Sequence, residues 1–202
     1  MYKERAGERV PIQPELVIFC GPMFSGKSAE LIKELKRAPH AGYKVLAFKP
    51  ALDKRRGADS INSEDGGSHP AISVKHSLDI LNFVTPEIDI VGIDEGQFFD
   101  NEINDVCIRL VNQGKKVIVA GLDKNFKGEP FGPMAYLKQE AEEVQTFQAY
   151  CHTCGKPASF TQRIVNGKPA NYDDPIVIVG AAELYEARCR QHHEVPGKPG
   201  VK

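Results

Sequence analysis

The chain has 202 residues, 41% of them hydrophobic and 26% charged, with a formal net charge of -1. That composition describes a folded chain of one compact domain with at most a small appendage. Its balanced charge excludes binding to nucleic acid or membrane through an overall field. The apolar stretches Leu16–Cys20 and Val117–Ala120 are strand-sized, and Met1–Pro14 lacks the apolar core of a signal peptide, so a cytoplasmic location without a membrane partner is expected.

Residues 1–14 read as a flexible arm. Leu16-Val17-Ile18-Phe19-Cys20 is a continuous apolar run, as in a strand buried on both faces. Ser28–Arg37 carries Leu31, Ile32 and Leu35 at helical spacing, and Pro39 and Gly42 close that helix. Lys44–Lys49 predicts a second strand. The stretch Arg55–Pro70, rich in Gly, Ser and Asp, predicts a mobile loop.

Leu78–Phe83 predicts a short helix and Ile88–Ile93 another buried strand. Glu102–Gln113 predicts a helix with Ile103, Val106 and Leu110 on one face, and Lys116–Leu122 a fourth buried strand. Strands alternating with helices imply right-handed crossovers and a mostly parallel α/β sheet. Past about residue 150 the sequence becomes turn-rich with short β runs such as Ile176–Val179. The organisation read from this is an arm over 1–14, an α/β domain over 15–149, a small appendage over 150–193 and a flexible tail over 194–202.

Gly21-Pro22-Met23-Phe24-Ser25-Gly26-Lys27-Ser28 fits G-x-x-x-x-G-K-[ST] in full, after a buried strand and at the start of a helix. The glycines let successive backbone N–H groups curl around a polyphosphate, and the helix N-terminus adds favourable partial charge. Lys27 can bridge the β- and γ-phosphates, and the Ser28 hydroxyl suits Mg²⁺. The motif predicts binding of a nucleoside triphosphate with Mg²⁺, taken here as Mg-ATP, and is silent about what receives the phosphate.

Ile90-Val91-Gly92-Ile93 ends in two carboxylates, Asp94 and Glu95. Ligands of open α/β sheets bind at the carboxyl ends of strands, so this pair should face the phosphate loop. Asp94 is the candidate for the Mg²⁺ shell. Glu95 is then available to take a proton from an attacking hydroxyl or to orient a water.

Cys151-His152-Thr153-Cys154 is a C-x₂-C pair and Cys189-Arg190-Gln191-His192 a C-x₂-H pair. Two short chelating pairs joined by a longer loop suit tetrahedral structural zinc, with Cys151, Cys154, Cys189 and His192 as ligands and His193 as an alternative fourth. Cys20 and Cys107 fall in a predicted strand and helix, as ordinary buried residues do.

Gly21–Ser28 followed by Ala29-Glu30-Leu31, Asp94-Glu95-Gly96-Gln97-Phe98-Phe99, Gly121-Leu122-Asp123 leading to Phe126, and Pro130-Phe131-Gly132 together resemble the type II thymidine kinases, as does the zinc pattern. The match runs in order from about residue 15 to 193. The resemblance implies a RecA-like P-loop domain with a zinc-bearing lasso domain, usually assembled as a homotetramer. It implies phosphate transfer from ATP to the 5′-hydroxyl of thymidine in nucleotide salvage for DNA synthesis.

By similarity Glu95 is the general base, and Asp94 and Gln97 belong with the phosphate loop to the ATP site. Phe98, Leu122, Phe126 and Phe131 line the base pocket, with Met23 near it and Thr161 and Arg163 supporting it from the lasso. The backbone of Ile176-Val177-Ile178-Val179-Gly180 grips the thymine edge, and Tyr185 contacts the nucleoside.

The chain departs from the family pattern where Arg56-Gly57 follows Asp53 and Arg55, and again at Ser63-Glu64. Ala38-Pro39 should shorten the helix after the phosphate loop. Two rival readings are a P-loop ATPase with a zinc-ribbon nucleic-acid-binding appendage, and a catalytically silent nucleotide-binding regulator. The first needs a basic stripe with interleaved aromatics, whereas Arg163, Lys168, Arg188 and Arg190 are scattered among acidic residues. The intact Lys27, Ser28, Asp94 and Glu95 argue against the second.

Overall fold

The computed structural model describes residues 10–52, 59–177 and 184–200. Its centre is a six-stranded sheet built from β1 (Glu15–Cys20), β2 (Val45–Pro50), β5 (Ile72–Val74), β6 (Ile90–Ile93), β7 (Lys116–Gly121) and β8 (Glu143–Thr146). The order is β5-β2-β6-β7-β1-β8, and each pairing in it is parallel. A parallel sheet must cover both faces, and alternate side chains of these strands do divide into two apolar layers.

On one face Val17, Phe19, Ala47, Ile118 and Ala120 pack with Leu31, Ile32 and Leu35 of α1 (Lys27–Arg37). On the other face Ile18, Phe48, Val91, Ile93 and Val119 pack with Ile103, Val106 and Leu110 of α2 (Ile103–Asn112) and with Met134 and Leu137 of α3 (Met134–Glu140). The helix after the phosphate loop ends at Arg37, and Pro39 lies in the 3₁₀ turn Ala38–Ala41 that follows.

Several expectations need correction. The polar stretch to Pro70, where described, is an antiparallel hairpin of β3 (Ser60–Asn62) and β4 (Ser68–Pro70). Ile61 anchors it by packing fully buried into the α1 layer, a single apolar residue that composition averaged away. The short helix expected over Leu78–Phe83 is present as a 3₁₀ helix, Ser77–Asn82. Ile176 and Val177 lie outside any strand and are 40% and 41% exposed, although their residue types favour sheet.

The appendage holds β9 (Ala149–Tyr150) paired with β10 (Pro157–Ala158), and a three-stranded antiparallel sheet. In the latter β11 (Phe160–Val165) lies between β12 (Lys168–Pro169) and β13 (Leu184–Arg188). Residues 195–200 turn back on the body, where Tyr172 N–H donates to Pro196 O at 2.8 Å.

Candidate active site

β1 runs out at Cys20 directly into the phosphate loop. Gly21 sits at φ 148, and a Cβ there would lie 2.4 Å from Phe147 O, so only glycine allows this exit from the strand. Inside the loop Ser25 Oγ donates to Pro22 O at 2.8 Å, and Lys27 Nζ donates to the same carbonyl at 2.6 Å. Burial draws the Lys27 pKa below its ordinary value, while Glu95, Asp94 and Asp123 act in the opposite sense.

Ser28 Oγ donates to Asp94 Oδ1 at 3.0 Å and so ties the loop to the acidic pair. Asp94 is buried at the carboxyl end of β6. Burial and the neighbouring Glu95 carboxylate push its pKa up to about 7, against the Ser28 hydroxyl and Lys27. A hydroxyl beside a carboxylate short of positive charge is a donor set that fits a divalent cation held with phosphate oxygens.

Glu95 adopts φ 53, ψ 42, the left-handed region that costs a side-chain-bearing residue energy and recurs at functional sites. Its carboxylate accepts from Gln97 Nε2. Gln97 Oε1 in turn accepts from Leu122 N–H at 2.8 Å, just past the end of β7.

Beyond this, Phe98 and Phe131 meet edge to face with centroids 5.6 Å apart. Phe126 is buried under the Arg163 guanidinium, 5.3 Å from its centroid. Arg163 is itself 2% exposed and donates to Pro175 O at 2.5 Å. Thr161, on the same strand β11, accepts from Met23 N–H at 3.0 Å and so joins the appendage to the phosphate loop.

Tyr185 pairs with Arg163 across the β11–β13 ladder and lines a cavity of about 410 Å³ with Phe24, Tyr150 and Leu184. Ile178, Val179 and Gly180 lie outside the described residues, as do Asp53, Arg55, Arg56 and Gly57.

Asp123, just past the carboxyl end of β7, is a charged neighbour of this site that the motifs alone do not single out. It bonds Lys124 Nζ at 2.8 Å and Lys138 Nζ at 3.3 Å. Burial works to raise its pKa, but those two lysines outweigh it and hold the group below the usual carboxylate range. The signal was present, since Asp123 also follows the carboxyl end of a buried strand.

A candidate metal site lies in the appendage. One ligand atom from each of Cys151, Cys154, Cys189 and His192 falls within 4.8 Å of all the others. Cys154 and Cys189 sulfurs are 3.8 Å apart, and His192 Nδ1 lies 3.7 Å from Cys151 Sγ and 3.3 Å from Cys189 Sγ. Tetrahedral Zn–S bonds of about 2.3 Å require sulfurs about 3.8 Å apart, so this Cys₃His group fits zinc. His193 faces away, with Nε2 2.8 Å from Phe126 O and its ring stacked on Phe160 at 4.6 Å. Among the described residues no helix is long and apolar enough to cross a membrane. A family model described as thymidine kinase matches residues 14–193.

Proposed function

The chain belongs to the thymidine kinase family, and we propose that it transfers the γ-phosphate of ATP to the 5′-hydroxyl of thymidine, giving dTMP in cytoplasmic nucleotide salvage. The observation that carries this reading is the closure of the phosphate loop on the acidic pair through Ser28 and Asp94, with Glu95 next in the chain. The loop's backbone N–H groups and Lys27 hold the triphosphate. Mg²⁺, held by Ser28 and Asp94, would neutralise charge on the phosphate oxygens. Glu95 takes the proton of the 5′-hydroxyl as its oxygen bonds to the γ-phosphorus. The bond from that phosphorus to the β–γ bridging oxygen breaks, and ADP leaves.

Residues 15–149 serve as the P-loop domain and 150–193 as the zinc-braced lasso, in a homotetramer. Phe98, Leu122, Phe126 and Phe131 supply apolar walls for a flat base, and Tyr185 with the backbone of 176–180 supplies its further contacts. Four ligands leave no open position on zinc, so the metal braces the lasso. Burial of Arg163 and pairing of Arg188 with Glu186 leave no basic stripe among these appendage arginines, which argues against nucleic-acid binding.

The test is a panel of nucleosides with ATP, scored for 5′-monophosphate, on the wild type and on Glu95→Gln. Thymidine-dependent ADP formation that falls by about 100-fold or more in Glu95→Gln to a small residual rate, with ATP binding retained, is the expected result. ATP turnover that proceeds equally well without any nucleoside refutes the assignment.

A further inference from the structure

The proposed general base sits on a backbone that does not hold it by itself. Glu95 is the residue between the end of β6 and the single 3₁₀ turn Gly96–Phe98, in a left-handed conformation. Gln97 in that turn is 2% exposed, and its side chain spans from Glu95 to the end of β7.

The amide's orientation follows from its partners. Leu122 N–H can only donate, so Gln97 must present Oε1 to it at 2.8 Å. That turns the amide NH₂ toward the Glu95 carboxylate, which accepts from Nε2. The turn is also clamped from outside, because Gly132 approaches so closely that a Cβ there would lie 2.3 Å from Gln97 O. We propose that Gln97 is a positioning residue for phosphate transfer: its amide fixes the Glu95 carboxylate relative to Leu122, so that the base and the nucleoside pocket keep one geometry. This rests on the kinase reading above. It assigns the buried Gln97 amide to the base rather than to the nucleotide.

Glutamine is the residue type that meets both demands, a donor on one side and an acceptor on the other. Gln97→Glu keeps the acceptor for Leu122 N–H but sets carboxylate against carboxylate. Gln97→Met keeps the volume and removes both bonds.

The experiment measures kcat and both KM values for the wild type and the two variants, with AMP-PNP affinity by calorimetry and thermal melting as controls. Either variant is expected to lower kcat on the order of 10- to 100-fold, the range lost with a hydrogen bond to a charged group, while AMP-PNP affinity holds within about twofold. Thermal melting guards against a folding defect. Gln97→Glu buries a further carboxylate beside Glu95 and is expected to melt lower, whereas Gln97→Met adds no charge. A kcat loss in Gln97→Met with a folded melt is therefore the decisive reading.

In a Glu95→Gln background, Gln97→Met is expected to change the residual rate by less than about twofold, because a residue that acts only through Glu95 has nothing left to position. A full further loss in that background overturns the assignment. So does weakened AMP-PNP binding at unchanged kcat, which would make Gln97 a nucleotide contact. An inactive wild type refutes the kinase reading itself, whereas an active wild type with variants at full kcat overturns only the role of Gln97.

Discussion

Replacing Gly132 with alanine tests how tightly the site depends on backbone approach. Gly132 has φ 53, so an alanine there carries the left-handed penalty of about 1–2 kcal/mol. Its Cβ would lie 2.3 Å from Gln97 O. An ordinary C···O approach is about 3.3 Å, so the Gln97 carbonyl must retreat by about 1 Å. A displacement of that size near reacting groups can cost about 100-fold in rate.

Gly114→Ala separates the two effects, because Gly114 sits at φ 83 with nothing within 4 Å of the added carbon. It suffers the conformational penalty alone. Melting should fall by about 2–8 °C in Gly114→Ala, taking about 2–4 °C per kcal/mol for a chain of this size, with kcat kept. Gly132→Ala should melt at least as low and lose about 100-fold in kcat. Steady-state kinetics with thymidine and ATP, paired with calorimetric melting, reads both quantities. Gly132→Ala at full kcat would show that the turn tolerates the shift, and the argument from close approach would fail.

His192→Ala should lose zinc by elemental analysis and melt well below the wild type, whereas His193→Asn should keep one zinc per chain and raise the thymidine KM. The reverse pattern would exchange the roles of the two histidines. For Asp123 the folded-state pKa is lowered from 3.8, so its stabilisation is present above that value and lost as pH falls through the lower folded value. The stability gap between wild type and Asp123→Asn, measured by urea unfolding, should therefore be constant from pH 7 to about 5 and shrink below about 3.8. A gap unchanged at acid pH would mean that Lys124 and Lys138 contribute nothing through charge.

What the sequence made legible was local. Leu16–Cys20 and Val117–Ala120 are apolar without interruption because both faces of a parallel strand are covered, and that requirement leaves its mark in every residue. The phosphate loop is equally local, since its glycines, lysine and serine act within eight consecutive residues. Pro39 ended α1 on schedule for the same reason. β8 left no such mark: all of Glu143–Thr146 is exposed, and the strand exists because its backbone pairs with β1. Ile176 and Val177 carry the opposite lesson, being exposed β-branched residues that pair with no strand among the described residues, so propensity alone did not decide their conformation.

The candidate site divides along the same line. Ser28, Asp94 and Glu95 could be named from strand ends and motif because chemistry restricts the residue types there. Spacing left His192 and His193 equivalent, since either could reach the sulfurs. What separates them is Phe160 and Phe126 O, contacts made by residues 33 and 67 positions away in the chain. Gln97 is the sharpest case. The resemblance grouped it with the ATP site beside Asp94, yet its carbonyl oxygen is committed to Leu122, 25 residues on, and its NH₂ to Glu95. A glutamine can face either way, and its partners, which no local motif encodes, decide which charge it steadies. Residue type limits what a side chain can do, and the long-range contacts select among those options.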